Sequence, residues 1–196
     1  MQKEKNNTIK DKQKKIKIGR EIKLDMLEKQ ANTVFLGIGS NLGNKKNNIN
    51  KAKSFLQEKN NLIIEKSSNF YKTKSWPDPK KPEYLNIVLK IKTNLTPLNL
   101  FYFIKKIEKK LGRKISEKNS PRECDIDILD YDHKCLKLDC QGDKIIIPHP
   151  RLHKRNFVLI PLYEISKKWT HPKYKLNISQ LLKQIDTIDL RSITVE

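Results

Sequence analysis

The chain has 196 residues, 36% of them hydrophobic, and carries 42 Lys and Arg against 22 Asp and Glu, a net charge of +20. This length predicts one domain, and no stretch approaches the roughly 18 apolar residues of a membrane span or the apolar core of a signal peptide. Its three cysteines form no Cys-x-x-Cys pair, which argues against a disulfide framework and a four-cysteine zinc site. We therefore expect a cytoplasmic protein with no membrane partner.

The first 32 residues are rich in Lys and poor in large apolar side chains. Such a segment cannot bury enough apolar area to offset the entropy cost of ordering. We expect residues 1–32 to be a mobile extension and residues 33–196 to form a single domain. An organelle transit peptide is the alternative, but such peptides avoid acidic residues and favour Arg over Lys.

The first half of the domain predicts a strand, a helix and two further strands. The apolar run Val34–Ile38 ends at a turn, Gly39–Gly43, which is typical of a buried strand. Apolar residues then recur at helical spacing over Ile49–Leu56. Two segments rich in β-branched and aromatic residues, Leu62–Tyr71 and Tyr84–Thr93, predict strands on either side of a proline-rich loop.

The second half predicts a helix and a strand. Thr96 suits the N-cap, Pro97 the first helical position, and an apolar stripe follows that ends at Gly112. After a polar loop, Cys124–Tyr131 is short and rich in Ile, as a strand would be. The order β-α-β-β-α-β predicts a ferredoxin-like α/β fold with its helices on one face of an antiparallel sheet. Three C-terminal segments are additions to it: Ile145–Ile147, a helix over Phe157–Ile165, and Ile178–Ile185.

The clearest chemical feature is the sequence Asp125-Ile126-Asp127 in the last of these strands. Residues two apart in a strand point to the same face, so both carboxylates share one face while Ile126 and Ile128 face the core. Mg²⁺ prefers one or two carboxylates together with phosphate oxygens and water, which suits a nucleotide-phosphate site. The alternative is an exposed face on which Asp alternates with Ile, and the pair taken alone slightly favours it.

Basic residues lie on both sides of this acidic pair. Cations beside carboxylates are what a polyphosphate bridged by metal requires. His149, fixed between two prolines, is a fair phosphate ligand, although a lone His is more often structural. The high net charge by itself is better explained by an overall bias toward Lys, Asn and Ile. The basic residues are Arg113, Lys114, Lys118 and Arg122 before the pair and Arg151, Lys154 and Arg155 after it.

Two other phosphate-binding motifs are excluded. The segment Gly37–Gly43 is similar to a dinucleotide fingerprint, but its last Gly is one position late and no parallel βαβ series follows. The chain also contains no Gly-Lys-Ser or Gly-Lys-Thr, so it has no Walker A loop.

Five motifs follow one another over residues 33–170. They are Ile38-Gly39-Ser40-Asn41-Leu42-Gly43, Phe70-Tyr71-Lys72-Thr73, Tyr84-Leu85-Asn86, Pro121-Arg122-x-x-Asp125-Ile126-Asp127-Ile128-Leu129, and Pro148-His149-Pro150-Arg151 with Arg155-x-Phe157. This ordered set resembles the 6-hydroxymethyl-7,8-dihydropterin pyrophosphokinase family. The resemblance implies a ferredoxin-like fold and transfer of diphosphate from ATP to the pterin hydroxymethyl group, releasing AMP, in folate biosynthesis. It implies ATP and the hydroxymethylpterin as small-molecule partners of a monomer.

The resemblance also implies roles for individual residues. Asp125 and Asp127 look like the ligands of two Mg²⁺ ions, and Arg113 and Arg122 resemble loop arginines on the ATP phosphates. Ser120 stands where the family usually has Gly or Ala, so the geometry of this loop is left open. The remaining implied contacts are Lys105, Glu108, His149 and Arg155 on the ATP side, and Thr73, Trp76, Tyr84, Asn86 and Phe157 on the pterin side.

An RNA-binding module is the rival hypothesis, since RNA-recognition domains share the β-α-β-β-α-β order. Such a domain would carry stacking aromatics on a central strand. The segment Cys124–Tyr131 carries acids instead, which would repel phosphate in the absence of metal. We therefore expect no nucleic-acid partner.

Overall fold

The computed structural model describes residues 31–58, 61–75, 78–113, 120–140 and 142–196. These residues form an antiparallel sheet of six strands with helices packed on it, and a separate hairpin. The strands are β1 (Asn32–Ser40), β2 (Leu62–Ser67), β3 (Tyr71–Thr73), β4 (Tyr84–Thr93), β5 (Asp125–Tyr131), β6 (Leu136–Cys140), β7 (Asp143–Ile147) and β8 (Thr194–Val195). The helices are α1 (Lys45–Glu58), α2 (Pro97–Lys110), α3 (Asn156–Ile165), α4 (Ile178–Leu182) and α5 (Thr187–Arg191).

Strand β4 lies at the centre of the sheet, whose order is β5-β1-β4-β3-β8, with β2 also paired to β4. The predicted strand Leu62–Tyr71 is wrong as a continuous element, because it is divided into β2 and β3 along the same edge of β4. The break lies at Ser68, whose hydroxyl oxygen accepts a hydrogen bond of 2.9 Å from the backbone N–H of Val88. That contact replaces a regular ladder bond and lets β3 start a second pairing.

Helices α1 and α2 cover the first face of the sheet, and the apolar core enclosed between them and this face is the first core. Their apolar stripes, exemplified by Ile49 and Ile104, pack on buried residues of β1 and β4 such as Leu36 and Leu89. The predicted start of α2 is confirmed, because the Thr96 side chain accepts a hydrogen bond from the backbone N–H at the third helical position. The sequence periodicity therefore located this half of the core.

The C-terminal helices cover the second face, so the expectation of helices on one face alone is wrong. Phe35 and Val88 of the sheet pack there against Leu159 and Leu162 of α3. The physical reason is that consecutive residues of β1 and β4 are buried, as Phe35 and Leu36 are. A strand that is apolar on both faces needs a layer on each side. The predicted helix Phe157–Ile165 is confirmed as α3.

The predicted additional segment Ile145–Ile147 lies in β7, whereas its pairing with β6 and the short strand β8 were not anticipated. Leu136 and Leu138 of β6, together with Ile145 and Ile147 of β7, pack on the first core. Strand β8 has two residues, which is too short for any periodicity to reveal. Among the helices described, none combines the length and apolar character needed to cross a membrane.

Candidate active site

One row of residues paired across four neighbouring strands brings together the acidic pair and the predicted pterin residues. Gly39 of β1 pairs with Asp125 of β5 on one side and with Asn86 of β4 on the other. Asn86 in turn pairs with Tyr71 of β3. Residues in one row of an antiparallel sheet lie about 5 Å from their neighbours. The acidic pair and the predicted pterin residues, which are far apart in sequence, therefore meet across β1.

The two carboxylates lie on the second face of the sheet and are each paired with arginine. Oδ1 of Asp125 accepts hydrogen bonds from Nη1 of Arg113 at 2.8 Å and from Nη1 of Arg122 at 3.1 Å. Oδ2 of Asp127 accepts one from Nη1 of Arg155 at 3.1 Å. The side chains of Asp125 and Asp127 keep 32% and 38% of their surface exposed, so a ligand can reach both.

The predicted alternation along β5 is confirmed at its start. Ile126 and Ile128 are buried in the first core, opposite the carboxylates. The alternative of an exposed face of aspartates is wrong for Asp130, which is buried and accepts a hydrogen bond of 2.7 Å from Nε1 of Trp169. Burial raises the pKa of the Asp130 carboxyl. The aspartates of this strand thus divide into an accessible pair and a buried structural residue.

Glu108 of α2 is enclosed behind this pair, with no exposed surface. Its Oε1 accepts a hydrogen bond of 2.8 Å from the backbone N–H of Ile126 and contacts the Arg113 guanidinium, while Oε2 accepts one of 2.9 Å from Nζ of Lys105. Burial disfavours the charged form of Arg113, yet Glu108 and Asp125 raise its pKa above the ordinary value. Glu108 therefore presents no surface to a ligand, and its carboxylate holds the side chains of Arg113 and Lys105 in place.

Sequence reasoning missed Asn41, which lies in the turn after β1 and is 2% exposed. Its Oδ1 accepts a hydrogen bond of 2.8 Å from the backbone N–H of Arg122, and its own backbone N–H donates to the Arg122 carbonyl at 3.2 Å. Its Nδ2 donates to the carbonyl of Pro82 at 3.3 Å. Asn41 therefore joins the loops that precede β4 and β5. The available signal was its place in the Gly39–Gly43 turn.

The predicted pterin residues on β3 and β4 form one polar cluster. Nδ2 of Asn86 donates a hydrogen bond of 2.9 Å to Oγ1 of Thr73, and both side chains are buried. Tyr84 is half-buried, and burial raises the pKa of its hydroxyl, an effect that Arg122 opposes. A Cβ added to Gly39 would lie 2.8 Å from Oδ1 of Asn86, so only glycine leaves this space open.

His149, Arg155 and Phe157 border the opposite side of Asp127. Nε2 of His149 lies 3.8 Å from Oδ2 of Asp127, and its Nδ1 accepts a hydrogen bond from the backbone N–H of Arg151. Burial lowers the pKa of His149 despite the nearby carboxylate, which favours the neutral ring. Because Nδ1 accepts the backbone hydrogen bond, a neutral ring in this position carries its proton on Nε2. The Arg155 guanidinium lies 5.4 Å from the centroid of the Phe157 ring, which places an aromatic face beside the acidic pair.

Part of the predicted site lies outside the described residues. This applies to Trp76 and to the basic-loop residues Lys114 and Lys118. The remaining predicted residues are distributed around Asp125 and Asp127 as set out above. Lys105, on the side of α2, lies 5.3 Å from the Phe101 ring in addition to its contact with Glu108.

The donor set fits Mg²⁺ rather than a metal held by protein ligands alone. Within the described ranges, no group of three or more His, Cys, Asp or Glu side chains could enclose an ion. Two accessible carboxylates supply hard oxygen ligands, and Mg²⁺ takes the rest of its octahedron from phosphate and water. Zinc and calcium sites normally need three or more protein ligands.

A sheet face with two accessible carboxylates among arginines is typical of proteins that bind nucleotide phosphates through a metal ion. The chain belongs to the 7,8-dihydro-6-hydroxymethylpterin-pyrophosphokinase (HPPK) family, whose model matches residues 35–167. The family resemblance noted in the sequence is thereby confirmed.

Two relatives illustrate the match. The chain is 44% identical over 143 residues to the 2-amino-4-hydroxy-6-hydroxymethyldihydropteridine pyrophosphokinase of Aquifex aeolicus. These aligned residues make up 73% of this chain and 86% of that protein. The chain is 33% identical over 152 residues to the enzyme of the same name from Haemophilus influenzae, which covers 78% and 92%.

Solved structures share the fold. A crystal structure of HPPK-DHPS in complex with substrates aligns with a TM-score of 0.63 at 16% identity, covering 79% of this chain and 43% of that one. Wild-type HPPK-DHPS of Plasmodium falciparum aligns with a TM-score of 0.63 at 15% identity, covering 79% and 45%. The chain thus spans less than half the length of these longer proteins, and the likeness shows the fold alone.

Proposed function

We propose that this protein transfers diphosphate from ATP to the hydroxymethyl group of 6-hydroxymethyl-7,8-dihydropterin and releases AMP, a step of folate biosynthesis. The observation that carries the proposal is that Gly39 pairs with Asp125 on one side and with Asn86 on the other, so that it lies between them in the sheet. It supports a metal-phosphate half and a hydrogen-bonding half on one surface. The names of the relatives support the same reaction.

In this reaction the hydroxymethyl oxygen attacks the β-phosphorus of ATP. The bond between that phosphorus and the oxygen bridging to the α-phosphate breaks, AMP leaves with that oxygen, and the hydroxyl proton is lost. Phosphoryl groups need little covalent help from a protein, so positioning and neutralisation of charge supply most of the rate. We assign no general base.

Asp125 and Asp127 would hold Mg²⁺, and we propose two ions. When bound, Mg²⁺ neutralises polyphosphate charge and polarises the attacking hydroxyl. The guanidinium groups of Arg113, Arg122 and Arg155 already lie within 3.1 Å of these carboxylates, and their planar forks match phosphate oxygens equally well. Neutral His149 can donate its Nε2 proton to a phosphate oxygen, because Nδ1 is engaged by the backbone.

The pterin is proposed to bind over Gly39 with its polar edge toward Asn86. Because Nδ2 of Asn86 donates to Thr73, the Oδ1 atom of Asn86 is left to accept a hydrogen bond from a ring N–H of the pterin. Phe157 can stack on the flat ring, with Arg155 beside it. Tyr84 closes the side near Arg122, and we keep Trp76 as a predicted contact from the loop before β4.

We infer that the arrangement is the ferredoxin-like one, with β2 and β3 together in the position of one strand. The order β5-β1-β4 followed by β2 and β3 supports this. Over the described residues, α3 packs on Val88, and the part of the second sheet face that it leaves uncovered carries the carboxylates of Asp125 and Asp127, which does not favour RNA. That the protein acts as a cytoplasmic monomer without nucleic-acid or membrane partners stays a prediction from the sequence.

The proposed function is tested by measuring AMP release from ATP by the purified protein. We expect one AMP for each hydroxymethyldihydropterin consumed, no AMP without the pterin, and no reaction after removal of Mg²⁺ with a chelator. Release of AMP that is independent of the pterin, or none with it, would overturn the proposal.

The N-terminal extension is expected to contribute little to this reaction. Residues 1–30 lie outside the described residues, while Asn32 already pairs with Thr93 in the sheet. Exposed charges act weakly beyond about 8 Å at physiological salt. A chain shortened to begin at Ala31 should therefore keep kcat and both KM values within about twofold, because surface changes away from packed features have small effects. A larger loss in the shortened chain would place the extension in the folded domain.

A further inference from the structure

The C-terminal segment 186–196 contains α5 and β8 and follows the residues that the family model matches. None of its residues is buried, and Ile188 and Val195 are 79% and 61% exposed. Apolar burial therefore holds this segment only weakly. Its position depends on polar contacts, and these lead to two sides of the proposed pterin site.

The first contact is made by Asn156, which lies between Arg155 and Phe157 in the sequence. Nδ2 of Asn156 donates hydrogen bonds to the carbonyl of Asp189 at 2.6 Å and to Oγ of Ser192 at 3.3 Å. Its Oδ1 accepts one of 2.7 Å from the backbone N–H of Phe157. One amide thus joins the C-terminal segment to the start of α3, where the predicted stacking ring is attached.

The second contact is made by β8, which pairs with β3 and forms the edge of the sheet. Val195 pairs with Tyr71, and the backbone N–H of Glu196 donates to the carbonyl of Phe70 at 2.9 Å. Strand β3 has three residues and ends at Thr73, which holds the Asn86 amide. A strand this short gains much of its pairing from a neighbour on its outer edge.

A third set of hydrogen bonds joins α3 directly to β3 and to Asn69 shortly before it. Oε2 of Glu164 on α3 accepts a hydrogen bond of 2.8 Å from the hydroxyl of Tyr71, and both its carboxylate oxygens accept from the backbone N–H of Asn69. Helix α3, segment 186–196 and strand β3 are therefore connected in a closed loop. Phe157 lies on one side of this loop and the Thr73–Asn86 pair on the other.

We propose that segment 186–196 is a clip that sets the spacing between the Phe157 ring and the Thr73–Asn86 pair, with Asn156 as its positioning residue. The proposal deepens the proposed function and rests on it for the identity of the substrate. It predicts a selective effect, because Arg113, Arg122 and Asp125 contact one another and not the clip. Arg155 precedes Asn156 in the chain, but its guanidinium is held by Asp127 and not by the clip. Loosening the clip weakens pterin binding and spares ATP binding.

The test is the Asn156→Asp variant, which keeps the acceptor for the Phe157 N–H and removes both donors to the clip. Pterin binding is measured calorimetrically with Mg²⁺ and saturating α,β-methylene-ATP, which cannot be cleaved at the reacting bond. We expect the pterin dissociation constant to rise about tenfold, as the loss of two net hydrogen bonds would give. The dissociation constant of the ATP analogue, measured alone, should stay within about twofold.

Glu196→Pro is a second, independent variant, because it removes the N–H that donates to Phe70 and should weaken pterin binding in the same direction. Ile188→Ser is the matched control on the exposed side of α5, and it should change neither constant. Equal loss of pterin and ATP-analogue affinity, or wild-type pterin affinity in Asn156→Asp, would overturn the clip. If Asn156→Asp fails to fold, the Glu196→Pro result decides by the same criteria.

The outcome for the wild-type chain separates the two proposals. A wild-type chain that releases AMP while both clip variants bind pterin normally overturns the clip alone. A wild-type chain that releases no AMP from ATP and pterin overturns the proposed function and the clip with it.

Discussion

Replacing Asp127 by asparagine is expected to reduce AMP release about a thousandfold or more, since metal charge stabilisation contributes several kcal/mol and each 1.36 kcal/mol is tenfold. The amide keeps the size of the side chain but loses the charge that we propose binds Mg²⁺. Its ion pair with Arg155 is more than one-third exposed at the carboxylate, so stability should fall by less than about 1 kcal/mol. Turnover, Mg²⁺-dependent binding of α,β-methylene-ATP and the free energy of unfolding are the measurements.

Asp132→Asn is the matched control for this prediction. Asp132 lies just after the same strand and is exposed. Its Oδ2 lies 3.0 Å from Nζ of Lys134, and this ion pair is not part of the candidate site. Its φ of 52° lies in the left-handed region, which asparagine also adopts readily. This variant should turn over at the wild-type rate. Near-normal turnover in Asp127→Asn would show that the metal is held elsewhere.

Local patterns in the sequence located the elements that carry the site. The N-cap at Thr96 and the alternation around Asp125 depend on residues only two to four positions apart, and both were read correctly. The helix Phe157–Ile165 was predicted, but its position on the second face of the sheet was missed, although the adjacent apolar residues Phe35 and Leu36 were a usable signal of a strand covered on both sides.

Contacts between distant residues could not be read in this way. Asn41 contacts Arg122 across 81 positions, and Glu108 receives the Ile126 N–H across 18. Which side chain completes such a bond depends on strand register, and nothing in the local spacing fixes that register. The family resemblance supplied Glu108 as an ATP-side residue, which stays a prediction, whereas its complete burial and its contacts with Arg113 and Lys105 could not be read from the sequence.

The separation of the two halves of the site depends on a position without a side chain. Gly39 lies between Asp125 and Asn86, and an added Cβ would approach Oδ1 of Asn86 to 2.8 Å and Cδ1 of Tyr84 to 3.6 Å. Asn86 cannot move away freely, because it is buried and its Nδ2 is held by Thr73. A side chain at position 39 must therefore displace the amide or enter the space proposed for the pterin.

Gly39→Ala is accordingly expected to raise the pterin dissociation constant by about ten- to a hundredfold and to destabilise the fold by about 1–3 kcal/mol, the usual range for overpacking. Gly37→Ala is the control, since its methyl would meet the flexible end of Leu129 at 3.3 Å and does not touch Asn86. Calorimetric pterin binding should separate the two variants. In the double variant Gly39→Ala with Asn86→Ala, the clash is gone, so the two losses should not add. Additive losses would mean that Gly39 and Asn86 act on the pterin independently, and that the pterin does not bind over Gly39 against Asn86 as proposed.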